Sequence, residues 1–139
     1  MAELQRPTGT WLHACGALFL ATGATAGAFG AHALREVFSP DRLEAWSTAS
    51  GYLLVMGAGL LGAAGWTATK ASRRALGAVA SGTVLFSGSI MALVTLATFD
   101  ALPSLRAVMG PITPLGGVLM IGGWLVWAML LMRERQTRF

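Results

Sequence analysis

Long apolar stretches separated by short charged ones are the main feature of the hydrophobic pattern. The 16 charged residues leave four charge-free windows, at residues 7–34, 45–69, 75–99 and 107–132. A helix crosses about 30 Å of hydrocarbon with about 20 apolar residues, so each window is long enough for one crossing and too short for two. A transmembrane strand would instead show stretches of about ten residues with alternating polarity, which these windows lack. The pattern predicts an all-α integral membrane protein, a four-transmembrane-helix bundle forming a single domain over residues 1–139.

Residue types that favour helix starts refine the boundaries. Ser39, Pro40 and Asp41 provide an N-cap, a first-turn proline and an acid for the second helix. Thr113, directly before Pro114, is a cap of the same kind for the fourth helix. The predicted spans are roughly 10–34, 41–67, 73–98 and 114–133.

Composition supports the membrane interpretation. Hydrophobic residues make up 55% of the chain and charged residues 12%, whereas soluble domains carry about 25% charged residues. The same values exclude a disordered chain. The single cysteine, Cys15, excludes an internal disulfide and a cysteine-based zinc cluster. The first apolar window is longer than the apolar run of a secretory signal peptide, so we expect it to be retained.

The distribution of Lys and Arg predicts the orientation. With four spans, both termini and the middle loop share one side. That side carries seven basic residues, Arg6, Lys70, Arg73, Arg74, Arg133, Arg135 and Arg138. The other side carries three, Arg35, Arg42 and Arg106. The positive-inside rule therefore places both termini in the cytoplasm or its equivalent.

Nucleic acid is not a predicted partner, because no motif or aromatic face supports it. Anionic lipid headgroups are expected near the basic residues.

Small residues recur at offsets of 7, 11 and 14 positions within the windows. In lipid, such residues let helix backbones approach closely. The predicted packing positions are Gly16, Gly23, Gly27 and Gly30 in the first helix, Gly51, Ala58, Gly62 and Gly65 in the second, and Gly88 in the third. They predict a tight bundle, with the alternative that one stripe is an exposed dimer face.

The windows contain no charged side chain, so an ion-coupled transporter is not predicted. A passive path through carbonyl and hydroxyl groups stays open as an alternative. His13 and His32 are 19 residues apart, about 28 Å along a helix, and cannot ligate one haem together. The sequence shows no catalytic triad, metal-ligand cluster or nucleotide motif. We therefore expect no enzyme activity, no metal and no cofactor.

A few polar residues near the outer ends of the helices are candidates for binding a lipid, a quinone or another small molecule. They are the candidate ligand or polar-contact residues His32, Tyr52, Ser87, Ser89 and Thr113.

Four stretches carry a family resemblance. They are Gly-Ala-Phe-Gly-Ala-His-Ala-Leu at 27–34, Phe-Ser-Pro-Asp-Arg-Leu-Glu-Ala-Trp at 38–46, Leu-Phe-Ser-Gly-Ser at 85–89, and Gly-Pro-Ile-Thr-Pro-Leu-Gly-Gly at 110–117. In this order and spacing they resemble the family called domain of unknown function 423, which includes transmembrane protein 256 of animals. The resemblance implies a four-helix protein of bacterial inner membranes or mitochondria, with no known reaction.

The chain departs from the family pattern in the second helix. The family often has Gln and His where this sequence has Leu53 and Met56. We therefore expect a small structural or accessory membrane protein that packs against a larger complex, or against itself, through its glycine-rich faces. Its expected partners are membrane lipids and other membrane subunits. The alternative is a lipid-, quinone- or small-molecule-binding protein or a passive channel or carrier. The expected location is the bacterial inner membrane, with a mitochondrial membrane as the alternative.

Overall fold

A computed structural model describes residues 10–67 and 69–136. Four long helices are present, α1 (Thr10–Ala31), α2 (Pro40–Ala64), α3 (Lys70–Thr98) and α4 (Pro103–Gln136), and a short 3₁₀ turn (Ala33–Glu36) joins α1 to α2. All four helices are long and apolar enough to cross a membrane. The predicted all-α fold with four spanning helices is confirmed, and the orientation of the termini stays a prediction.

The starts of α2 and α3 show how local chemistry positions the helices. Ser39 occupies the N-cap position of α2, but its side chain makes no capping hydrogen bond, and Asp41 lies in the first turn. The α3 helix begins at Lys70 because Thr69 caps it: its hydroxyl accepts from the Ser72 N–H, and the Ser72 hydroxyl accepts from the Thr69 N–H. This reciprocal pair satisfies two backbone donors that a helix start leaves free.

The start of α4 corrects one prediction. The helix begins at Pro103 rather than at residue 114, and both Pro111 and Pro114 lie inside it. Thr113 is therefore an interior residue and not a helix cap. Each proline removes one backbone hydrogen bond, a loss that membrane helices tolerate when neighbouring helices and hydroxyl side chains compensate.

The helices pack as two antiparallel hairpins, α1 with α2 and α3 with α4, joined by contacts between α2 and α3. Each hairpin crosses at a pair of glycines. A Cβ placed on Gly16 would lie 2.8 Å from the Gly57 carbonyl oxygen, and one on Gly57 would lie 2.8 Å from the Gly16 oxygen. Gly82 and Gly116 show the same reciprocal approach, at 2.7 and 2.8 Å. The helix backbones therefore touch where a side chain would keep them apart.

Several predicted packing positions need correction. Gly23 does approach α2, with a would-be Cβ 3.0 Å from the Ser50 carbonyl oxygen, and Gly30 lies against the Trp46 ring. Gly27 has only a distant neighbour, at 4.0 Å. The positions that face open space instead of another helix of this chain are Gly51, Gly62, Gly65 and Gly88, and Ala58 is exposed. The structure does not place them in the packing between helices of this chain: α2 meets α1 at Gly57 and Ser50, Gly65 follows the last residue of α2, and α3 meets α4 at Gly82 rather than at Gly88.

Large apolar side chains fill the centre of the bundle. Leu12, Leu60, Leu76 and Val79 have no solvent exposure and belong to one cluster drawn from α1, α2 and α3. Trp124 of α4 packs against this cluster from the fourth side. The core of the bundle therefore consists of apolar side chains contributed by all four helices.

Candidate functional site

The connection between α1 and α2 is held by one tryptophan. The Trp46 indole N–H donates to the Ala26 carbonyl oxygen at 2.8 Å, and the Phe38 ring meets the Trp46 ring edge-on at 5.8 Å. Phe38 is buried, which pins the turn against the bundle. His32 lies at the start of this turn, is exposed, and makes no capping hydrogen bond through its side chain. It stands apart from the other predicted polar residues.

Three of the five predicted polar residues come together around Phe86 of α3. The Tyr52 ring lies 4.7 Å from the Phe86 ring, centroid to centroid. The Ser89 hydroxyl donates to the Phe86 carbonyl oxygen at 3.0 Å and lies 2.7 Å from the Thr113 hydroxyl. A serine hydroxyl has one proton, so Thr113 is the donor to Ser89. This Phe86 cluster (Tyr52, Phe86, Ser89 and Thr113) links α2, α3 and α4.

The chemistry of the Phe86 cluster is that of a structural contact. It contains hydroxyl groups and aromatic rings, without an acid or base among its members to activate a nucleophile. Ser89 is buried and its bonds go to neighbours within the chain. The cluster therefore holds the middle of α3 to α4, close to the Gly82–Gly116 crossing.

The sequence pattern does not single out Phe86, although the family-like stretch at residues 85–89 contains it. An aromatic residue in an apolar window gives no sign of its orientation. The structure shows its backbone beside Gly116 and its ring near Gly117, with a would-be Gly117 Cβ 3.7 Å from the ring.

Ser87 is separate from the Phe86 cluster. It is completely buried, and its hydroxyl has no hydrogen-bond partner among the described residues. A buried hydroxyl without a partner costs about 1–3 kcal/mol.

We expect Ser89→Ala to lower the free energy of unfolding by about 0.6 kcal/mol, the average for a hydrogen bond between membrane helices. The loss comes from the Ser89–Thr113 bond. Ser87→Ala is the matched control on the same helix and is expected to be neutral or stabilising, because it removes an unpaired hydroxyl. Unfolding in detergent measures both variants. A larger loss for Ser87→Ala than for Ser89→Ala would contradict the assignment.

Met56 and Leu53, which depart from the family pattern, have ordinary packing roles here. Leu53 is buried in the core. The Met56 sulfur accepts a hydrogen bond from the Trp124 indole N–H at 3.2 Å, so a weak acceptor stands at this position. Neither side chain offers a strong polar ligand group.

Metal chemistry has no support in the described residues, which contain no group of three or more His, Cys, Asp or Glu side chains able to hold an ion.

The middle of the chain matches a known protein family. A family model described as "Protein of unknown function (DUF423)" matches residues 26–117, which run from the last turns of α1 into α4 and include the whole Phe86 cluster. This chain belongs to the DUF423 family.

Relatives from a yeast and from bacteria resemble this DUF423 protein over most of their length. A UPF0382 membrane protein of Schizosaccharomyces pombe is 36% identical over 99 residues, covering 70% of this chain and 81% of its own. One from Staphylococcus epidermidis is 39% identical over 113 residues, covering 80% and 86%. One from Staphylococcus aureus is 36% identical over the same length. No solved structure matches this chain.

These similarities confirm the family resemblance predicted from the four quoted stretches. The relatives are named as membrane proteins, and this chain has four helices that can span a membrane. The DUF423 protein is therefore a membrane protein of a family whose function is unknown.

Proposed function

We propose that this DUF423 protein is a non-enzymatic accessory subunit that holds a transmembrane helix of a larger membrane complex. The observation that supports the proposal is a groove of about 560 Å³ on the bundle surface between α2 and α4. This α2–α4 groove is lined by Gly62, Trp66, Trp127, Ala128, Leu131, Met132 and Glu134.

The surface beside the α2–α4 groove is suited to a close helix contact. Gly62 and Gly65 have open space where a Cβ would be, and Ala58 is exposed one turn away. Association of helices in lipid depends on packing, because lipid tails are as apolar as the helices themselves. A neighbouring helix would gain contact area here that a flexible lipid chain fills poorly.

The groove also has an unusual donor. The Trp127 indole nitrogen is buried and has no hydrogen-bond partner among the described residues. Trp127 lines the groove, so an arriving helix that brings a hydroxyl or carbonyl oxygen and shifts the ring could satisfy it.

The alternative function, binding of a lipid, quinone or small molecule at the predicted polar residues, has less support. The hydroxyl groups of Ser89 and Thr113 bond each other.

For the location, we propose a bacterial inner (plasma) membrane, with a mitochondrial membrane as the alternative. Relatives in staphylococci and in a yeast fit both.

We expect a photo-crosslinking residue at position 62 to form an adduct with a different polypeptide in intact membranes of the source organism. Position 126 is the matched control. Val126 is 43% exposed on α4 and does not line the groove, and it lies two residues after Trp124, whose ring contacts Gly59, so its depth is similar to that of Gly62. The control should label lipid alone.

Gly62→Leu should fill the groove without harming the fold, because nothing lies within 4 Å of its would-be Cβ. We expect this variant to lose the partner in native mass spectrometry after mild extraction. An adduct between two copies of this chain would show a homo-oligomer instead of a larger complex. Labelling of lipid alone at both positions would overturn the proposal.

A further inference from the structure

A second groove, of about 430 Å³, opens on the bundle surface where the beginnings of α1 and α3 meet. Both helices run in the same direction, so the groove lies at the end of the bundle predicted to face the cytoplasm. This α1–α3 groove is lined by Trp11, Lys70, Arg73, Arg74, Gly77 and Ser81. It lies between a different pair of helices from the groove in the proposed function.

The upper part of the α1–α3 groove, meaning the end nearer the membrane surface, is strongly positive. Lys70, Arg73 and Arg74 lie in the first two turns of α3, and the first turn contains no acidic residue. Among the side chains that the structure describes, no acidic one forms an ion pair with Lys70, Arg73 or Arg74. The start of a helix also carries a partial positive charge, which adds to theirs.

The lower part of the groove carries no charged side chain and extends into the membrane depth. Ser81 follows Lys70 by eleven residues, which is about 16 Å along a helix. Gly77 lies between them, and a Cβ there would come within 3.2 Å of the Trp11 ring. The missing side chain thus lets the indole lie along α3 and form one wall. Tryptophan is typical of the boundary between headgroups and hydrocarbon.

This combination matches one kind of ligand. A phosphate group would be held by the three cations at the membrane surface, and an acyl chain below it would lie along Gly77 and Ser81. A free phosphate ion has no chain that would occupy the lower part of the groove. We propose that the α1–α3 groove binds the phosphate-bearing headgroup of an anionic phospholipid together with part of one acyl chain.

The test uses the full chain in nanodiscs of phosphatidylcholine containing a small fraction of phosphatidylglycerol, with native mass spectrometry to count retained lipid. We expect the wild type to retain phosphatidylglycerol in preference to phosphatidylcholine. Replacing Lys70, Arg73 and Arg74 by Gln should lower that preference roughly 100-fold, since each surface cation contributes about 1 kcal/mol, or about fivefold. The matched control replaces the three tail arginines, Arg133, Arg135 and Arg138, and should lower it less than tenfold.

A second variant separates the shape of the groove from its charge. Ser81→Leu fills the lower part at an exposed position and keeps all three cations. We expect it to lower lipid retention about tenfold with an unchanged melting temperature. Equal losses for the groove and tail variants would show a diffuse surface attraction and overturn the proposal. So would full retention in Ser81→Leu, or displacement of the lipid by millimolar glycerol phosphate, which would indicate a site for free phosphate esters.

Discussion

Gly116→Ala is expected to be among the most destabilising single-methyl changes in this protein. A Cβ at position 116 would lie 2.5 Å from the Phe86 backbone nitrogen, 2.9 Å from the Phe86 Cα and 2.8 Å from the Gly82 carbonyl oxygen. All three atoms belong to the α3 backbone, so no side chain can turn away and the helices must separate. We expect a loss of about 3 kcal/mol in the free energy of unfolding, the upper end of the range for overpacking.

Thermal unfolding in detergent, read by circular dichroism, measures this effect. Gly122→Ala is the matched control on the same helix, because nothing lies within 4 Å of its would-be Cβ. It should be neutral or stabilise by up to about 1 kcal/mol, since alanine favours a helix over glycine. Equal melting temperatures for Gly116→Ala and the wild type would contradict the close crossing of α3 and α4.

Gly82→Ala should behave like Gly116→Ala, since its Cβ would lie 2.6 Å from the Met120 backbone nitrogen. The two substitutions open the same crossing. The loss of unfolding free energy in the double variant should therefore be smaller than the sum of the losses in the two single variants.

Trp124→Ala is expected to have the second large effect, about 3 kcal/mol, at the low end of the range for replacing a buried aromatic by alanine. The α2 and α4 backbones do not come close to each other in the described residues, so side chains make the link. The Trp124 ring reaches within 2.9 Å of a would-be Cβ on Gly59, and its N–H donates to the Met56 sulfur. It also meets the Trp127 ring edge-on at 5.7 Å.

The same unfolding measurement, with two further variants, resolves the contributions. Trp124→Phe keeps a ring and loses the weak hydrogen bond to sulfur, so it should lose less than half as much as Trp124→Ala. Trp66→Ala is the control, because that ring is 69% exposed and its loss should change stability by about 0.5 kcal/mol or less. Comparable losses for Trp66→Ala and Trp124→Ala would mean that α4 is not anchored through Trp124.

The contrast between predicted and observed glycine contacts has a physical origin. The second helix carries glycines at positions 51, 57, 59 and 62, which point in several directions around it, and Gly65 follows its last residue. The predicted stripe of small residues, Gly51, Ala58, Gly62 and Gly65, is not on the side of α2 that meets α1. The contact is at Gly57, because the rotation of α2 follows the packing of Leu53 and Leu60 into the core. Such rotation is a property of the assembled bundle.

The start of α4 has a similar explanation. Thr113 followed by Pro114 is a good local signal for a helix start. In the bundle, the segment from Pro103 onward continues as helix through both prolines, and the Thr113 hydroxyl bonds Ser89 on α3. Packing against α3 therefore outweighs the local preference of Thr113 and Pro114 to begin a helix. The same contact gives the Thr113 hydroxyl a polar partner on α3.

The order of residues along the chain was enough to establish the class of protein, the number of helices able to span a membrane and the family. Charge-free windows of about 25 residues admit one helix each in lipid, and this holds whatever the helices touch. The tertiary structure alone decided which glycines form the two hairpin crossings, that Tyr52, Ser89 and Thr113 meet at Phe86, and where the two surface grooves open. These depend on the rotation and depth of each helix, which are set by close contacts between residues far apart in the chain.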